Sequence, residues 1–357
     1  VAPAAACGEV PMNIAQAFAA QAETCARMGS PFMGQLLGIL AEHWPADSAL
    51  GRKFAAFEGD IGPAGHSLPL RIAGGLHALV LSRATPELEA LYPPASVSDA
   101  ELQAGVLAAL EAHEPFLLDW TDSAPQTNEV RRSAALIAGA RIAAKAYDLP
   151  IYLSELGASG GLNLMWDHYA LEIDGVRFGP DVPALTLTPD WTGPLPPQNA
   201  PVIAHRAGVD LNPLDPKDGE DQLRLIAYQW PDPPERQPLT RAAASVTQGA
   251  VVKGDAIDWL GPQLHSAPEG HLHLIQHTVA WQYFPAEAQA HGRALIEAAG
   301  AAATTRRPLA WLSMESDGDT TGKIGAAVVL RLWPGDITVE LGRADFHGRW
   351  VNWDFKE

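Results

Sequence analysis

A loop of small residues at positions 155–161 is the segment of this sequence best suited to hold a ligand. It reads Glu-Leu-Gly-Ala-Ser-Gly-Gly and follows a short β-prone run. Glycine has no Cβ atom, so Gly157, Gly160 and Gly161 let a ligand approach the backbone closely. A loop of this kind after a strand presents free amides to a ligand, and the pattern therefore predicts a cofactor-binding turn.

Two carboxylates follow later β-prone segments. Asp210 ends the segment 201–209, where it can accept hydrogen bonds from the two hydroxyls of a ribose. The alternative is that Asp210 caps a turn. Asp255 follows the segment 250–253 and can hold the amino group of an adenine, with Ala256 lining the ring. The residues after it also read as a helix start, which Asp255 would precede.

The loop resembles the E-x-G-x-G-x-G motif of class I S-adenosylmethionine-dependent methyltransferases, with a serine in place of the middle glycine. The resemblance implies an S-adenosylmethionine cofactor and a small-molecule substrate. Its cofactor-binding residues would be Glu155, Gly157, Ser159, Gly161, Asp210, Asp255 and Ala256.

The residues expected to face the methyl acceptor follow the fourth β-prone run. His277 is a possible base and Trp281 and Tyr283 are aromatic walls, while Glu315 ends the fifth strand near the same edge. We take His277, Tyr283 and Glu315 as catalytic candidates. The alternatives are a hydrogen-bonded structural histidine and a turn glutamate.

Asn128, Arg131 and Arg132 begin the helix that leads into the first strand, and they are candidate substrate-binding residues. A solvated helix start is the alternative. No histidine pair has clear metal-ligand spacing, so no metal site is predicted.

The sequence also resembles, over nearly its whole length, a bacterial family known only as a domain of unknown function. The segments that carry this resemblance are residues 125–135, 155–164 and 347–350. This resemblance implies no reaction.

Two other functions fit the same loop. Residues 157–161 match G-x-S-x-G, in which Ser159 would be the nucleophile of an α/β-hydrolase-like esterase, although the segments before residue 151 read as helices rather than strands. A non-catalytic cofactor-binding protein would keep the fold without turnover.

Periodicity predicts an α/β fold in two domains. Residues 1–125 read as a helical domain or lid, and residues 126–357 as a Rossmann-like, mainly parallel sheet that ends in an antiparallel strand pair. Residues 162–169 read as a helix after the glycine loop. Residues 170–200 are rich in proline and glycine and read as an insertion with one small hairpin.

The amino-acid composition disfavours some classes of binding partner. Apolar residues make up 47% of the chain, and a net charge of −18 disfavours nucleic acid and anionic lipid surfaces. No apolar run approaches the length of a membrane helix, and two cysteines give no disulfide framework. We therefore expect a cytoplasmic protein, and the sequence leaves its oligomeric state open.

Overall fold

The computed structural model describes residues 12–63, 65–232, 234–319 and 322–356. The chain forms two compact units. The first comprises Val1–Thr127 together with Asp218–Pro238, and the second comprises Asn128–Lys217 and Leu239–Glu357. Within the described ranges, no helix is both long and apolar enough to cross a membrane.

Twelve helices occur in the described residues. In chain order they are α1 (Ile14–Arg27), α2 (Pro31–His43), α3 (Ala49–Ala55), α4 (Leu68–Leu81), α5 (Pro86–Glu89), α6 (Asp99–Ala112), α7 (Glu114–Trp120), α8 (Ser133–Tyr147), α9 (Gly219–Ala227), α10 (Arg236–Val246), α11 (Ala256–Gln263) and α12 (Ala286–Ala301).

Twelve strands occur in the same residues. They are β1 (Ile151–Leu156), β2 (Tyr169–Ile173), β3 (Val176–Phe178), β4 (Leu185–Leu187), β5 (Asp190–Thr192), β6 (Ile203–Asp210), β7 (Val251–Lys253), β8 (Leu272–Thr278), β9 (Leu309–Glu315), β10 (Ala326–Trp333), β11 (Ile337–Ala344) and β12 (Trp350–Trp353).

The first unit is helical because its sequence combines apolar periodicity with strong helix-start signals. Asn13 and Ser98 each form a capping box with the residue three positions later, at the starts of α1 and α6. Helix α9 belongs to this unit although it follows β6 in the chain. The Tyr228 ring after α9 lies so close to Gly74 in α4 that a Cβ atom there would be 2.5 Å from it.

The second unit is built on a nine-stranded sheet in the order β5-β12-β11-β10-β9-β8-β1-β6-β7. The five strands from β9 to β7 in this order pair in parallel. Strands β10, β11 and β12 each pair antiparallel to the preceding strand, and β5 joins the edge in parallel to β12. The predicted mixed α/β fold, with a mostly parallel sheet, antiparallel C-terminal strands and a helical N-terminal region, is confirmed at this level.

Both faces of this sheet are covered, as its parallel strands require. On one face, α8 packs closely: a Cβ atom on Gly139 would lie 2.6 Å from Leu312 of β9. On the other face, Ile257 of α11 and Ile296 of α12 share a core cluster with Trp311. Alternate side chains of each strand therefore belong to separate clusters, as the two-residue period of a strand dictates.

Two sequence-based predictions near the glycine loop were wrong. Residues 162–169 do not form an α-helix: Leu162–His168 is a 3₁₀ segment interrupted at Met165, and Tyr169 begins β2. Residues 162–166 are all buried, so tertiary packing overrides the helical pattern.

The segment 170–200 contains the predicted small hairpin, β2–β3, but the prediction missed two further strands, β4 and β5. Strands β2, β3 and β4 form a separate three-stranded sheet, and β5 extends the large one. Arg141 of α8 holds this segment by donating to the Pro197 and Asn199 carbonyls.

Candidate functional site

The parallel strands bring their carboxyl ends to one edge of the sheet. Glu155, near the end of β1, is in register with Gly208 of β6 and Gln276 of β8. The loops after these strands therefore carry the predicted cofactor residues at one edge, which is where open α/β sheets bind ligands.

The glycine loop needs glycine at two of its positions. Gly157 and Gly161 have φ values of +67° and +72°, in the left-handed region. A Cβ atom on Gly157 would lie 2.5 Å from the Cβ atom of Ala280, and one on Gly161 would lie 2.8 Å from Val251. The loop is therefore packed against the turn that follows β8 and against the first residue of β7.

Ser159 also has a left-handed φ, of +54°, and is only 5% exposed. Its hydroxyl is buried and has no hydrogen-bond partner among the described residues. A serine nucleophile requires a neighbouring base, so this arrangement does not supply the esterase mechanism.

The structure does contain a serine–histidine contact, but elsewhere. Ser154 Oγ of β1 and His273 Nε2, near the start of β8, are 2.9 Å apart, and both residues are buried. His273 Nδ1 has no partner among the described residues, so no carboxylate completes a triad.

Asp210 and Asp255 both accept hydrogen bonds from backbone amides. Asp210 accepts from Ser159 at 2.9 Å and from Asn212 at 2.9 Å, so it joins the end of β6 to the glycine loop. Asp255 caps α11 by accepting from Ile257 and Asp258. The capping alternatives are thus observed, but a carboxylate offers about four acceptor positions and can bind a ligand as well.

Glu155 is the least satisfied carboxylate at this edge. It is 2% exposed, and its Oε2 atom has no hydrogen-bond partner within the described ranges. Burial raises the pKa of Glu155 to about 8, against an opposing hydrogen bond from Gln276, and the charge of Asp210 also raises it. The carboxyl oxygen therefore lacks a donor that a bound ligand would supply.

His277 and Glu315 form a connected pair. The Trp311 indole donates to His277 Nε2 at 2.8 Å, and an indole nitrogen is only a donor. His277 is therefore protonated on Nδ1, which donates to Glu315 Oε1 at 2.7 Å. With both nitrogens engaged, this geometry favours the alternative of a structural histidine over that of a base.

Glu315 also holds the turn after β8. It accepts from the amides of Ala280 and Trp281 through Oε1 and of Gln282 through Oε2. Burial alone would raise the pKa of Glu315, but the hydrogen bonds from His277 and from the backbone outweigh it, and the pKa is lowered. Glu315 thus fixes the turn that packs against Gly157.

The two aromatic candidates differ in exposure. Trp281 is buried and stacks on His277 with ring centroids 5.1 Å apart. Tyr283 is 66% exposed. Of the pair, Tyr283 has a side chain accessible to a ligand, whereas Trp281 supports the histidine. Ala256, the predicted adenine neighbour, is buried at the start of α11.

Residues 128–132 are tied to the glycine loop and to the C-terminal segment. Asn128 Oδ1 accepts from the Leu162 amide at 3.0 Å, and Arg131 Nε lies 3.3 Å from Glu129 Oε1. Arg132 donates to the carbonyls of Phe346 and of Thr278, the last residue of β8.

A Cβ atom on Gly348 would lie 2.5 Å from the Arg131 backbone. The segments 128–132, 155–164 and 346–350 therefore meet at one place, and Asn128 and Arg132 are buried there rather than solvated.

Three residues at this edge were not singled out from the sequence. Val279 has a φ of +50°, a genuine outlier for a β-branched residue, and such strain collects at functional sites. Leu211 is 70% exposed directly after Asp210. Asn163 joins Ser133 to the Glu129 carbonyl. Only Leu211, an apolar residue after a strand-ending acid, left a sequence signal.

No group of three or more histidine, cysteine, aspartate or glutamate residues in the described ranges is arranged to hold a metal ion. Residues 15–353 match the family described as "Uncharacterized protein conserved in bacteria (DUF2332)". The match covers nearly the whole chain, so the chain belongs to this family. Comparisons with curated proteins and with solved structures give no match.

Proposed function

We propose that this chain is an S-adenosylmethionine-dependent methyltransferase of a small molecule, built on a Rossmann-like sheet. The observation that carries the proposal is the position of the glycine loop. It follows β1, from which the sheet continues to β6 and β7 on one side and to β8 and β9 on the other. Numbered in chain order, the parallel strands run 3-2-1-4-5, similar to the first five strands of the dinucleotide-binding order, whose ligand lies at this reversal.

The charges at the loop fit this cofactor. S-adenosylmethionine carries an ammonium and a sulfonium, and Glu155 has a buried carboxyl oxygen to which no described residue donates. Asp210 ends β6 beside the glycine loop, where a carboxylate can accept from ribose hydroxyls, and the exposed Leu211 next to it offers an apolar surface to a base. When bound, the cofactor supplies an electrophilic methyl group.

The chain's own contribution to methyl transfer is the positioning of the two reactants. Alignment of a nucleophile with the methyl carbon supplies much of the rate enhancement in such a displacement. Glu315 and His277 fix the turn that carries Trp281 and Tyr283, and we assign them this positioning role. The esterase alternative is weaker because no described residue forms a hydrogen bond with the Ser159 hydroxyl, as an activating base would.

The first test is calorimetry with S-adenosylmethionine, S-adenosylhomocysteine and NAD in parallel. We expect saturable binding of the first two. Asp210→Asn should weaken the binding of S-adenosylmethionine by about 1.5–3 kcal/mol, which is roughly tenfold or more in affinity, because a charged acceptor is lost. Ser159→Ala should have a smaller effect. Binding of NAD alone would exclude the proposal, and binding with no methyl transfer to any acceptor would favour a non-catalytic protein.

A matched glycine pair sharpens this test. Gly157 and Gly175 both have left-handed φ values, but nothing lies within 4 Å of a Cβ atom on Gly175. Gly157→Ala should weaken cofactor binding by about tenfold or more, because the methyl group forces Ala280 and the loop apart. Gly175→Ala shares the backbone strain and should bind normally. If both folded variants bind the cofactor equally well, the glycine loop is not part of the cofactor site.

A further inference from the structure

A cavity of the sheet unit lies at the opposite end of the strands from the glycine loop. It has a volume of about 80 Å³, and its lining includes Leu309 at the start of β9 and His273 near the start of β8. One water needs about 10–15 Å³ of such volume, so the cavity holds roughly five to eight water-sized groups. That is enough for a small organic molecule.

Its wall is largely apolar. Leu264, Ala267, Ala299 and Ala303 contribute aliphatic surface. An apolar lining with a few polar groups is the usual composition of a small-molecule site, whereas a cavity that only holds water is polar throughout. The ligand that fits it therefore has an aliphatic part.

Two polar side chains of the lining lack partners for some of their atoms. His273 is 2% exposed, and its Nδ1 atom has no hydrogen-bond partner among the described residues, while Nε2 contacts Ser154. Arg307 makes one side-chain hydrogen bond within those residues, from Nη2 to the His265 carbonyl. A hydroxyl can pair with a ring nitrogen as donor or acceptor, and a guanidinium pairs best with a carboxylate.

The neighbouring charges agree with an anionic ligand. On the adjoining loop, Glu269 is paired with Arg306 at 2.9 Å. His273 is neutral because burial lowers its pKa to about 4, and Arg307 is the one arginine or lysine among the described lining residues, which also include His265. A single arginine charge in the lining favours a ligand with a single negative charge.

From these observations we infer that the cavity is a binding site for a small aliphatic hydroxy-monocarboxylate, with the carboxylate on Arg307 and the hydroxyl on His273. This site is separate from the proposed cofactor site and does not depend on it.

The test is titration of the full chain with lactate, using propionate and chloride at equal ionic strength as comparisons. We expect saturable lactate binding with a Kd of about 1 mM, a usual affinity for so small a ligand. Propionate lacks the hydroxyl and should bind several-fold more weakly. The imidazole resonances of His273 should move with lactate.

Arg307→Gln should weaken lactate binding about tenfold or more, because a charge-assisted pair is lost. Arg306→Gln is the matched control, because Arg306 is adjacent but does not line the cavity, and it should bind normally. Ala303→Leu fills the cavity without touching either polar group and should abolish binding. The inference is overturned by absence of saturable binding, by equal binding of lactate and propionate, or by equal binding in the Arg307 and Arg306 variants.

Discussion

Glu155 is a carboxyl group at the edge of the sheet whose ionisation is strongly affected by the fold. A carboxyl group that is buried without full pairing is held in its neutral form, because transfer of the charge out of water is unfavourable. The same group accommodates a cation once one is bound. Glu155 therefore links the occupancy of the edge of the sheet to pH.

Stability should report this ionisation. The folded-state pKa of Glu155 is about 8, above its ordinary value of 4.5, so its contribution to stability is present below 4.5 and is lost as pH rises through 8. We expect the free energy of unfolding, relative to that of Glu155→Gln, to fall between about pH 5 and 8 and then to level off. Urea denaturation across this range measures it.

Glu340→Gln is the control, since Glu340 is exposed on β11. Its difference from the wild type should stay flat over the same range. A flat difference for Glu155→Gln as well would mean that the carboxyl group is solvated in the native protein.

At the scale of elements, the turn after β8 depends on one carboxylate. Glu315 accepts three amides and the His277 ring, and it lies at the end of β9. Glu315→Gln should reduce stability by about 1–3 kcal/mol, because a buried charged acceptor is replaced by a group that donates. It should also weaken cofactor binding through the neighbouring Gly157.

The effect of Glu315→Gln on stability changes with pH in the opposite direction to the effect of Glu155→Gln. The pKa of Glu315 is lowered, so its stabilisation is present above its ordinary pKa and is lost as pH falls through the folded value. Thermal denaturation between pH 3 and 7 should therefore show the variant and the wild type converging in acid, and Glu287→Gln, at an exposed position of α12, should change little. A constant gap between the Glu315 variant and the wild type would contradict the assignment.

Sequence patterns located the strand ends well and the connections poorly. Strands β1, β8 and β9 are largely buried on both faces, and the β-prone runs of β1, β6 and β9 end at or next to Glu155, Asp210 and Glu315, so the edge of the sheet was predictable. The 3₁₀ segment after the loop was not, because Asn163 and Trp166 are held there by buried hydrogen bonds to distant residues.

The site chemistry was only partly accessible in the same way. Sequence placed His277 and Glu315 at one edge but gave no sign that Trp311 donates to His277. That hydrogen bond joins residues 34 positions apart and decides the role of the imidazole. Roles that depend on such tertiary contacts require the structure.

At the scale of the molecule, the helical unit is discontinuous in sequence. His77 of α4 contacts the Ala227 carbonyl at 3.0 Å, and Ala227 and Tyr228 pack in one cluster with Ala78 and Trp120. The residues that complete this cluster lie in Asp218–Pro238. Sequence patterns did not predict this arrangement, because α9 follows β6 in the chain as a crossover helix would.

Tyr228→Ala tests the contribution of the late segment. Removal of a buried aromatic ring should destabilise the unit by about 3–5 kcal/mol, and hydrogen exchange of α4 amides should accelerate. Tyr283→Ala, at a 66% exposed ring, should change stability by less than about 0.5 kcal/mol. If both variants exchange alike in α4, the segment does not support the helical unit.

The discontinuity also sets an order of events during synthesis. At about 5–20 residues per second, roughly 5 to 20 s separate the appearance of Thr127 from that of Pro238 at the ribosome. During this interval α4 has neither Tyr228 beside Gly74 nor the Ala227 carbonyl for His77. The apolar surface of α4 that this segment covers is therefore exposed to solvent during the interval, and we expect the nascent chain to bind chaperones most strongly before Pro238 emerges.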